Sequence, residues 1–254
     1  MVEMTTYAPG TPNWVDLSTP NMEATKAFYG SVFGWEAITY PEMGGYTNFM
    51  MNGKQVCGAA PIMSTGQHPA WSTYISVDDA DATAQAVQAN GGQVVVPPMD
   101  VMNLGRMGVF TDPTGAFFSV WQPGEHKGAQ IVNAPGSVAW NELDTRDMDA
   151  AKAFYTKVFP WSAVTNGEGE QAYTEWQLDG RSIAGGMPMG ASFPSTVPAN
   201  WLTYFVVANC DATVATATAS GGTVMMPAMD SPQGRFAVLS DPHGAVFAVI
   251  QMQQ

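Results

Sequence analysis

The chain opens with a stretch in which apolar and polar side chains alternate, and a helical pattern follows it. Residues 13–18 read Asn-Trp-Val-Asp-Leu-Ser and end in a polar turn, which predicts a strand. Phe28 and Val32 then lie at the spacing of one helix face, and Asn21 is placed to cap the helix start. Gly34 is expected to end this helix.

Six further strands and a second helix follow. The pair Asn52-Gly53 between two strand-like runs is a strong signal for a hairpin turn. The second helix is expected to end at Asn90-Gly91-Gly92, where glycine suits the backbone of a helix C-terminus. The predicted strands are 45–51, 55–63, 71–77, 93–97, 106–111 and 116–122, and the predicted second helix is 79–90.

The whole pattern occurs twice. Lys26-Ala27-Phe28-Tyr29 recurs as Lys152-Ala153-Phe154-Tyr155, and Asp112-Pro113-Thr114-Gly115 recurs as Asp241-Pro242-His243-Gly244. These repeats predict two tandem modules, residues 1–125 and 136–254, joined by a polar linker from Pro123 to Pro135. Each module reads as paired βαβββ units, which favour an α+β fold with curled mixed sheets over a doubly wound parallel sheet.

Composition narrows the range of partners. Hydrophobic residues make up 46% of the chain and charged residues 12%, as in a compact globular protein. The formal net charge of −13 disfavours binding to nucleic acid or to an anionic membrane. With no signal peptide or spanning segment in the sequence, and with Cys57 and Cys210 at non-equivalent positions, we expect a cytoplasmic protein with reduced thiols.

Three motifs carry a family resemblance. Phe28-Tyr29 followed by Val32-Phe33-Gly34-Trp35, Val77-Asp78-Asp79, and the turn Asp112–Gly115 recur in order in both modules. The chain resembles the glyoxalase/bleomycin-resistance/extradiol-dioxygenase (vicinal oxygen chelate) superfamily, and within it the actinobacterial two-module members described as glyoxalase-like proteins, hydroxylases or culture-filtrate antigens. The resemblance implies one U-shaped cleft per module. It also implies that the modules pair within one chain as an intramolecular pseudo-dimer, either as a monomer or as a homodimer of such chains.

The resemblance also implies a divalent metal in the metal-dependent members, but the corresponding positions hold poor ligands here. The three histidines lie in loops or in the linker, where we expect solvated side chains. A catalytic metal site needs about three converging protein ligands. We therefore expect no metal and no other cofactor. The mapped positions are Trp14 and Trp140, Ser72 and Leu202, and Ser119 and Ala248, and the histidines are His68, His126 and His243.

Two acids are candidates for chemistry in the clefts. Asp16 and Glu142 lie two residues beyond Trp14 and Trp140, so strand alternation turns them to the same face. They are candidate catalytic bases or metal ligands. In the interpretation favoured here, they are ion-pair partners of Arg106 and Arg235; substrate anchoring is the alternative role. The expected lining comprises Trp14, Tyr46, Asn48, Tyr74, Phe117, Ser119 and Trp121 in module 1, and Trp140, Tyr173, Glu175 and Tyr204 in module 2, with Arg106 and Arg235 as anchors.

Three functions fit these observations. The first is a metal-independent protein that binds a small aromatic or carbonyl-bearing molecule in its clefts. The second is an enzyme, either a glyoxalase-type lyase or isomerase or a dioxygenase or hydroxylase, that uses Asp16 and Glu142 with or without a metal. The third is a non-enzymatic interaction or antigen-type protein with vestigial clefts. Because Leu202 and Ala248 replace Ser72 and Ser119, the cleft of module 2 is expected to be the less polar one.

Overall fold

The computed structural model describes residues 2–62 and 64–253, which form two similar modules in tandem. A short strand β1 (Val2–Glu3) precedes module 1, whose first half contains β2 (Pro12–Thr19), α1 (Met22–Phe33), β3 (Glu36–Tyr40), β4 (Tyr46–Met51) and β5 (Lys54–Pro61). Its second half contains β6 (Ala70–Ser76), α2 (Ala80–Ala89), β7 (Gln93–Val101), β8 (Gly105–Thr111) and β9 (Phe117–Pro123).

Module 2 repeats this order after the linker strand β10 (Ile131–Val132). Its first half contains β11 (Val138–Thr145), α3 (Met148–Val158), β12 (Ser162–Asn166), β13 (Tyr173–Leu178) and β14 (Arg181–Pro188). Its second half contains β15 (Asn200–Val206), α4 (Cys210–Ala219), β16 (Thr223–Ser231), β17 (Gly234–Ser240) and β18 (Val246–Met252).

Each module forms one eight-stranded mixed sheet. The strand order is β3-β4-β5-β2-β6-β9-β8-β7 in module 1 and β12-β13-β14-β11-β15-β18-β17-β16 in module 2. The first strand of each module lies near the centre, parallel to the last strand of its own half and antiparallel to the first strand of the other half. The predicted α+β class with tandem βαβββ units is confirmed.

Local signals placed most of these elements correctly. The side chain of Asn21 accepts a hydrogen bond from the Ala24 amide at the start of α1, and Gly34 ends this helix in the left-handed conformation. Asn52 and Gly53 both have positive φ angles, as the predicted hairpin turn requires. The chain departs from the prediction at β3 and β12, which lie at the sheet edges. β3 has no buried residues, so no alternation of buried and exposed positions marked it in the sequence.

The strand predicted at 93–97 is also longer than expected. β7 runs to Val101 through Pro97 and Pro98, with register shifts between Val94 and Met99. It forms the other edge of the sheet, where proline is tolerated because one side of the strand has no ladder partner.

The two hydrophobic cores are shared between the modules. One core packs the α1 side of module 1, including Phe28 and Trp35, against Phe205 and Phe247 of module 2. The other packs the second half of module 1 against the α3 side of module 2 in the reciprocal arrangement. Each half-module therefore completes its core with the opposite half of the other module, and the modules are not separate units on a flexible tether.

Two matched hydrogen bonds repeat this reciprocal arrangement. The indole nitrogen of Trp35 donates to the carbonyl of Gly136, and that of Trp161 donates to the carbonyl of Gly10, both over 2.7 Å. Gly10 and Gly136 lie two residues before β2 and β11 and have φ angles of 88° and 87°. Left-handed backbone of this kind favours glycine. The contact that one module makes is returned by the other.

Cys57 and Cys210 are buried and form no disulfide. Desolvation raises the pKa of the Cys57 thiol, which makes it a poor nucleophile.

Within residues 2–62 and 64–253, no helix combines the length and the apolar character needed to cross a bilayer.

Candidate functional site

The inner face of the module 1 sheet holds a hydrogen-bonded cluster around Asp16. Trp14 Nε1 donates to Asp16 Oδ1 over 2.8 Å, and the Tyr46 hydroxyl donates to the same oxygen over 2.6 Å. The Trp14 nitrogen also lies 3.1 Å from the Tyr46 oxygen. Burial raises the pKa of Asp16, while hydrogen bonds from Tyr46, Trp14 and Tyr74 partly offset the rise. The carboxyl group is thus held by aromatic donors rather than by a cation.

A glycine beneath this cluster makes room for it. Gly58 pairs with Asp16 on one side and with Asn48 on the other, across neighbouring strands. A Cβ atom on Gly58 would overlap the Tyr46 hydroxyl and the Asp16 carboxylate. The close approach of the phenol and the acid therefore requires glycine at this position.

Other predicted lining residues of module 1 extend the same face. Tyr74 is the sheet partner of both Trp14 and Ser119, and its hydroxyl forms a hydrogen bond with the Ser119 side chain. Trp14, Tyr74 and Trp121 belong to one buried apolar cluster. Phe117 lies farther out at the start of β9 and is 56% exposed.

The linker packs over the tryptophan end of the module 1 cleft. The His126 ring lies edge-on to Trp14 at 4.5 Å and to Trp121 at 5.6 Å, and Trp121 Nε1 donates to the His126 carbonyl. Ala129 joins the same cluster. Burial lowers the pKa of His126 to about 4. The expectation of a solvated His126 was wrong, because the linker packs on Trp14 and Trp121 and supplies apolar cover to the cleft.

Module 2 repeats the aromatic cluster around Glu142. The Tyr204 hydroxyl donates to Glu142 Oε1 over 2.7 Å, and Trp140 Nε1 donates to the Tyr173 oxygen over 2.8 Å. Gly185 takes the place of Gly58, since a Cβ atom there would overlap the Tyr173 hydroxyl. Burial raises the pKa of Glu142, and hydrogen bonds from Tyr173 and Tyr204 oppose the rise. Each module therefore surrounds one acid with a tryptophan and two tyrosines.

Sequence reasoning missed a further acid in module 2. Asp144 follows Glu142 by two residues on β11, so alternation turns it to the same face. It is 4% exposed, and its Oδ1 has no hydrogen-bond partner within the described residues. Burial, followed by the charge of Glu142, raises the pKa of Asp144 well above its ordinary value. The same alternation that identified Glu142 identifies Asp144, but module 1 has Ser18 at the equivalent position and the repeat gave no signal.

This acid corrects the expected polarity of the second cleft. Leu202 and Ala248 do line module 2 as buried apolar residues. Glu142, Asp144 and Glu175 nevertheless lie at inward positions on β11 and β13, and the Glu175 carboxylate accepts a hydrogen bond from Ser182. The cleft of module 2 is therefore the more acidic of the two, and the prediction that it is less polar was wrong.

The predicted pairing of the two arginines with the cleft acids was also wrong. Arg106 donates to Asp81 over 2.9 and 3.0 Å and to Asp100 over 2.9 Å. Arg235 makes the same contacts with Asp211 and Asp230. Met107 is the sheet partner of the cleft residue Trp121, so the preceding residue, Arg106, points to the helix-bearing face. The arginines tie helix to strand outside the clefts and are not placed to anchor a ligand there.

The residues present do not fit the metal that the resemblance implies. Trp14 and Trp140 use their indole nitrogens as hydrogen-bond donors, and Leu202 and Ala248 offer no ligand atom. Within residues 2–62 and 64–253, no group of three or more His, Cys, Asp or Glu side chains is placed to hold an ion. His68 is exposed, and His243 lies in the turn between β17 and β18.

Two surface grooves lie between the modules and away from the clefts. One is lined by the end of α1, the linker and the start of α4, without a charged side chain. The other includes Arg146, whose guanidinium donates to the carbonyls of Pro194 and Val197, and Asp147, which caps α3. Their polar groups serve the fold, so the clefts remain the candidate sites.

Comparison with known proteins agrees with this geometry. Residues 11–120 match the Glyoxalase/Bleomycin resistance protein/Dioxygenase superfamily, and residues 140–250 match a glyoxalase-like domain. The chain belongs to this superfamily, the vicinal oxygen chelate fold, with two of its modules in tandem.

Relatives of similar length are known from actinobacteria. The chain is 39% identical over 267 residues to "Anthracycline biosynthesis protein DauV" of Streptomyces sp. (strain C5), covering 99% of this chain and 96% of that protein. It is 43% identical over 262 residues to "Putative glyoxylase CFP32" of Mycobacterium tuberculosis (strain CDC 1551 / Oshkosh), covering 99% and 98%. The Mn(II)-bound glyoxalase from Novosphingobium aromaticivorans shares the fold, with a TM-score of 0.66 and 17% identity over 96% of this chain and 82% of that chain.

Proposed function

We propose that this chain binds a small aromatic molecule bearing hydroxyl or carbonyl groups in its clefts, without a metal ion. The observation that carries the proposal is the repeated cluster of one carboxyl group, one tryptophan and two tyrosines above a required glycine. Both modules keep this cluster although their other cleft residues differ.

The chemistry of the cluster suits such a ligand. Indole and phenol rings offer flat apolar surfaces against which an aromatic ring stacks. A tyrosine hydroxyl that donates to the acid can still accept a hydrogen bond from a ligand hydroxyl, and a carboxyl group with a raised pKa exchanges hydrogen bonds with a ligand hydroxyl or carbonyl. Aromatic clefts with a few convergent polar groups are the usual form of small-molecule sites. A relative named for anthracycline biosynthesis supports an aromatic ligand class.

Calorimetric titration tests the proposal. The protein is dialysed against a chelator and titrated with neutral aromatic phenols and ketones of one to three rings, with 2-naphthol as the reference. We expect saturable binding, weakened about tenfold in a Tyr46→Phe/Tyr173→Phe variant, which corresponds to about 1.4 kcal/mol. Ser31→Ala, which removes an exposed hydroxyl on α1 outside the cleft, is the control. Binding that arises only after Mn²⁺ or Fe²⁺ is added, or no binding by any compound, would contradict the proposal.

A second candidate is proton-transfer catalysis by Asp16 and Glu142. The observation that favours it is desolvation, which raises the pKa of both acids, as acid–base catalysts require near neutral pH. An isomerisation of an α-oxoaldehyde–thiol adduct needs a group that takes a proton from one carbon and returns it to the next. Proton NMR of methylglyoxal with a thiol tests this candidate. Conversion to the α-hydroxy product must disappear in an Asp16→Asn/Glu142→Gln variant.

A further inference from the structure

The cleft of module 2 contains two buried acids without a positive partner. Glu142 and Asp144 are 5% and 4% exposed, and they lie on one face of β11 with their Cα atoms about 6.6 Å apart along the strand. In the described part of the chain, no lysine or arginine forms a salt bridge with either acid. Arg146, two residues beyond Asp144, donates instead to the carbonyls of Pro194 and Val197.

The unpartnered oxygen of Asp144 points to a ligand independently of the missing positive partner. Its Oδ1 is buried without a hydrogen bond within the described residues, although Glu142 beside it is bonded to Tyr204. Burying such a group without a partner costs stability, so a buried polar atom that lacks a partner usually has a functional reason. The sheet neighbours of Asp144 are Met187 and Asn200, and the Asn200 amide donates to Pro198.

Module 1 shows that the fold does not require this second acid. Its equivalent residue is Ser18, whose hydroxyl accepts a hydrogen bond from Gln67. Module 1 also covers Trp14 with His126 of the linker, whereas Trp140 remains half-buried. The paired acids and the more open indole occur together only in module 2.

We propose that the cleft of module 2 selects a ligand that carries a protonated amine next to an aromatic group, with the ammonium held by Glu142 and Asp144. This inference rests on the proposed small-molecule function and names the ligand class of one of its two sites. An ammonium supplies the missing donors to Asp144 and the positive charge that the acid pair lacks. Tyr204 is hydrogen-bonded to Glu142, and Trp140 lies two residues before Glu142 on the same face of β11. Aromatic rings beside an acid pair suit a cation.

The electrostatics of the cleft support this ligand class. Tyr173 on β13 and Tyr204 on β15 lie close enough to interact with the acid pair, and Glu175 lies in register with Glu142 across Gly185; none of these groups is cationic. The acids therefore hold protons more firmly than isolated carboxyl groups do. A bound ammonium favours the charged carboxylates and so opposes this effect, and any proton that either acid holds is released on binding.

A matched pair of probes tests the inference. 2-Phenylethylamine and 2-phenylethanol share a skeleton and differ in the ammonium and hydroxyl groups. Titration calorimetry at pH 7, in two buffers of different ionisation enthalpy, measures affinity and proton release. We expect the amine to bind at least about tenfold more tightly than the alcohol. Asp144→Asn is expected to reduce this preference to within about twofold, mainly by weakening the binding of the amine.

Controls separate this inference from the proposed function. Asp211→Asn removes an exposed carboxylate of module 2 outside the cleft and is expected to keep the preference. Equal affinities of the two probes, or a preference that persists in Asp144→Asn, would overturn the inference while alcohol binding still supports the proposed function. Failure of every aromatic probe to bind would remove both. Mn²⁺ that competes with the amine in the wild-type protein but not in Asp144→Asn would identify a metal site and also overturn the inference.

Discussion

The hydroxyl of Tyr29, on the first helix of module 1, lies 3.3 Å from Oδ2 of Asp241, in the last turn of module 2. The same hydroxyl accepts a hydrogen bond from Trp71 Nε1 over 3.0 Å. Burial, followed by the charge of Asp241, raises the pKa of Tyr29 well above its ordinary value. In the reciprocal position, burial and the charge of Asp112 raise the pKa of Tyr155. Two motifs far apart in sequence thus join the modules to each other.

Replacing Tyr29 by phenylalanine is expected to destabilise the whole chain. The change leaves the buried Trp71 N–H and the Asp241 carboxylate without their partner, at a cost of about 1–3 kcal/mol. Because each core contains residues of both modules, the loss should appear in a single cooperative transition. Urea unfolding followed by far-UV circular dichroism and by tryptophan fluorescence measures both quantities.

Tyr40→Phe provides the control for this variant. Tyr40 lies on the edge strand β3, and the free energy of unfolding should change by no more than about 0.5 kcal/mol. Two separate transitions, with Tyr29→Phe affecting only one of them, would contradict the shared cores.

Much of the fold was accessible from sequence because short-range signals and the repeat agreed. Asn21, Gly34 and Asn52-Gly53 each fix a local conformation by their own chemistry, and the second module repeats the pattern. The edge strand β3 escaped notice because its residues contact solvent on both faces and so carry no periodicity. The linker over Trp14 escaped because its cover comes from tertiary packing of His126 and Ala129, which no local pattern encodes.

The candidate site was accessible only where strand alternation applied. Asp16 and Glu142 were placed correctly on the cleft face because Trp14 and Trp140 fix the phase of their strands. The pairing with Arg106 failed because no residue with a known orientation fixed the phase of β8, and its true partner Asp81 lies on a helix. Asp144 was missed because the candidate acids were chosen at positions that carry an acid in both modules.

Alanine at either cleft glycine is expected to disrupt the aromatic cluster. A Cβ atom on Gly58 or Gly185 overlaps the hydroxyl of Tyr46 or Tyr173, so the ring must move away from its hydrogen-bond partner. Overpacking of this kind costs about 1–3 kcal/mol, and binding of 2-naphthol to the affected module should be lost. Thermal melting and calorimetric titration measure the two effects.

Gly30→Ala is the matched control, because Gly30 lies inside α1 with room for a Cβ atom. The added methyl group should stabilise the protein by about 0.5–1 kcal/mol and leave binding unchanged. Wild-type binding in Gly58→Ala/Gly185→Ala would show that the tyrosine positions do not define the site.

His126 is expected to make the protein sensitive to acid. Its pKa is about 4 in the folded chain, against about 6.5 in an unfolded one. A group with a lowered basic pKa takes up its proton first in the unfolded state, so stability declines as pH falls from about 6.5 towards 4. His126→Gln should show less of this decline when urea midpoints are compared at pH 7 and pH 5. His68→Gln, in an exposed loop, should behave like the wild type. The same change in urea midpoint between pH 7 and pH 5 in all three proteins would contradict the packing of His126.

Asp144 is expected to change stability with pH in the direction opposite to His126. Its pKa is raised in the folded chain, so the folded state holds a proton that the unfolded state has already lost. This contribution to stability is fully present below the unfolded pKa of about 3.9 and is lost as pH rises through the folded pKa. Asp144→Asn removes the buried charge, so its gain over the wild type should grow between pH 4 and pH 8, to about 1–3 kcal/mol.

Asp211→Asn gives this experiment a control of opposite sign. The hydrogen bonds and charge of Arg235 lower the pKa of Asp211, so its contribution is present above the unfolded pKa and lost as pH falls. Urea unfolding of the three proteins at pH 4, 6 and 8 should therefore show Asp144→Asn gaining stability over the wild type as pH rises, while Asp211→Asn loses it. A neutral or unfavourable effect of Asp144→Asn at pH 8 would mean that a partner already compensates this carboxylate. The acid pair would then not be available to an ammonium ligand.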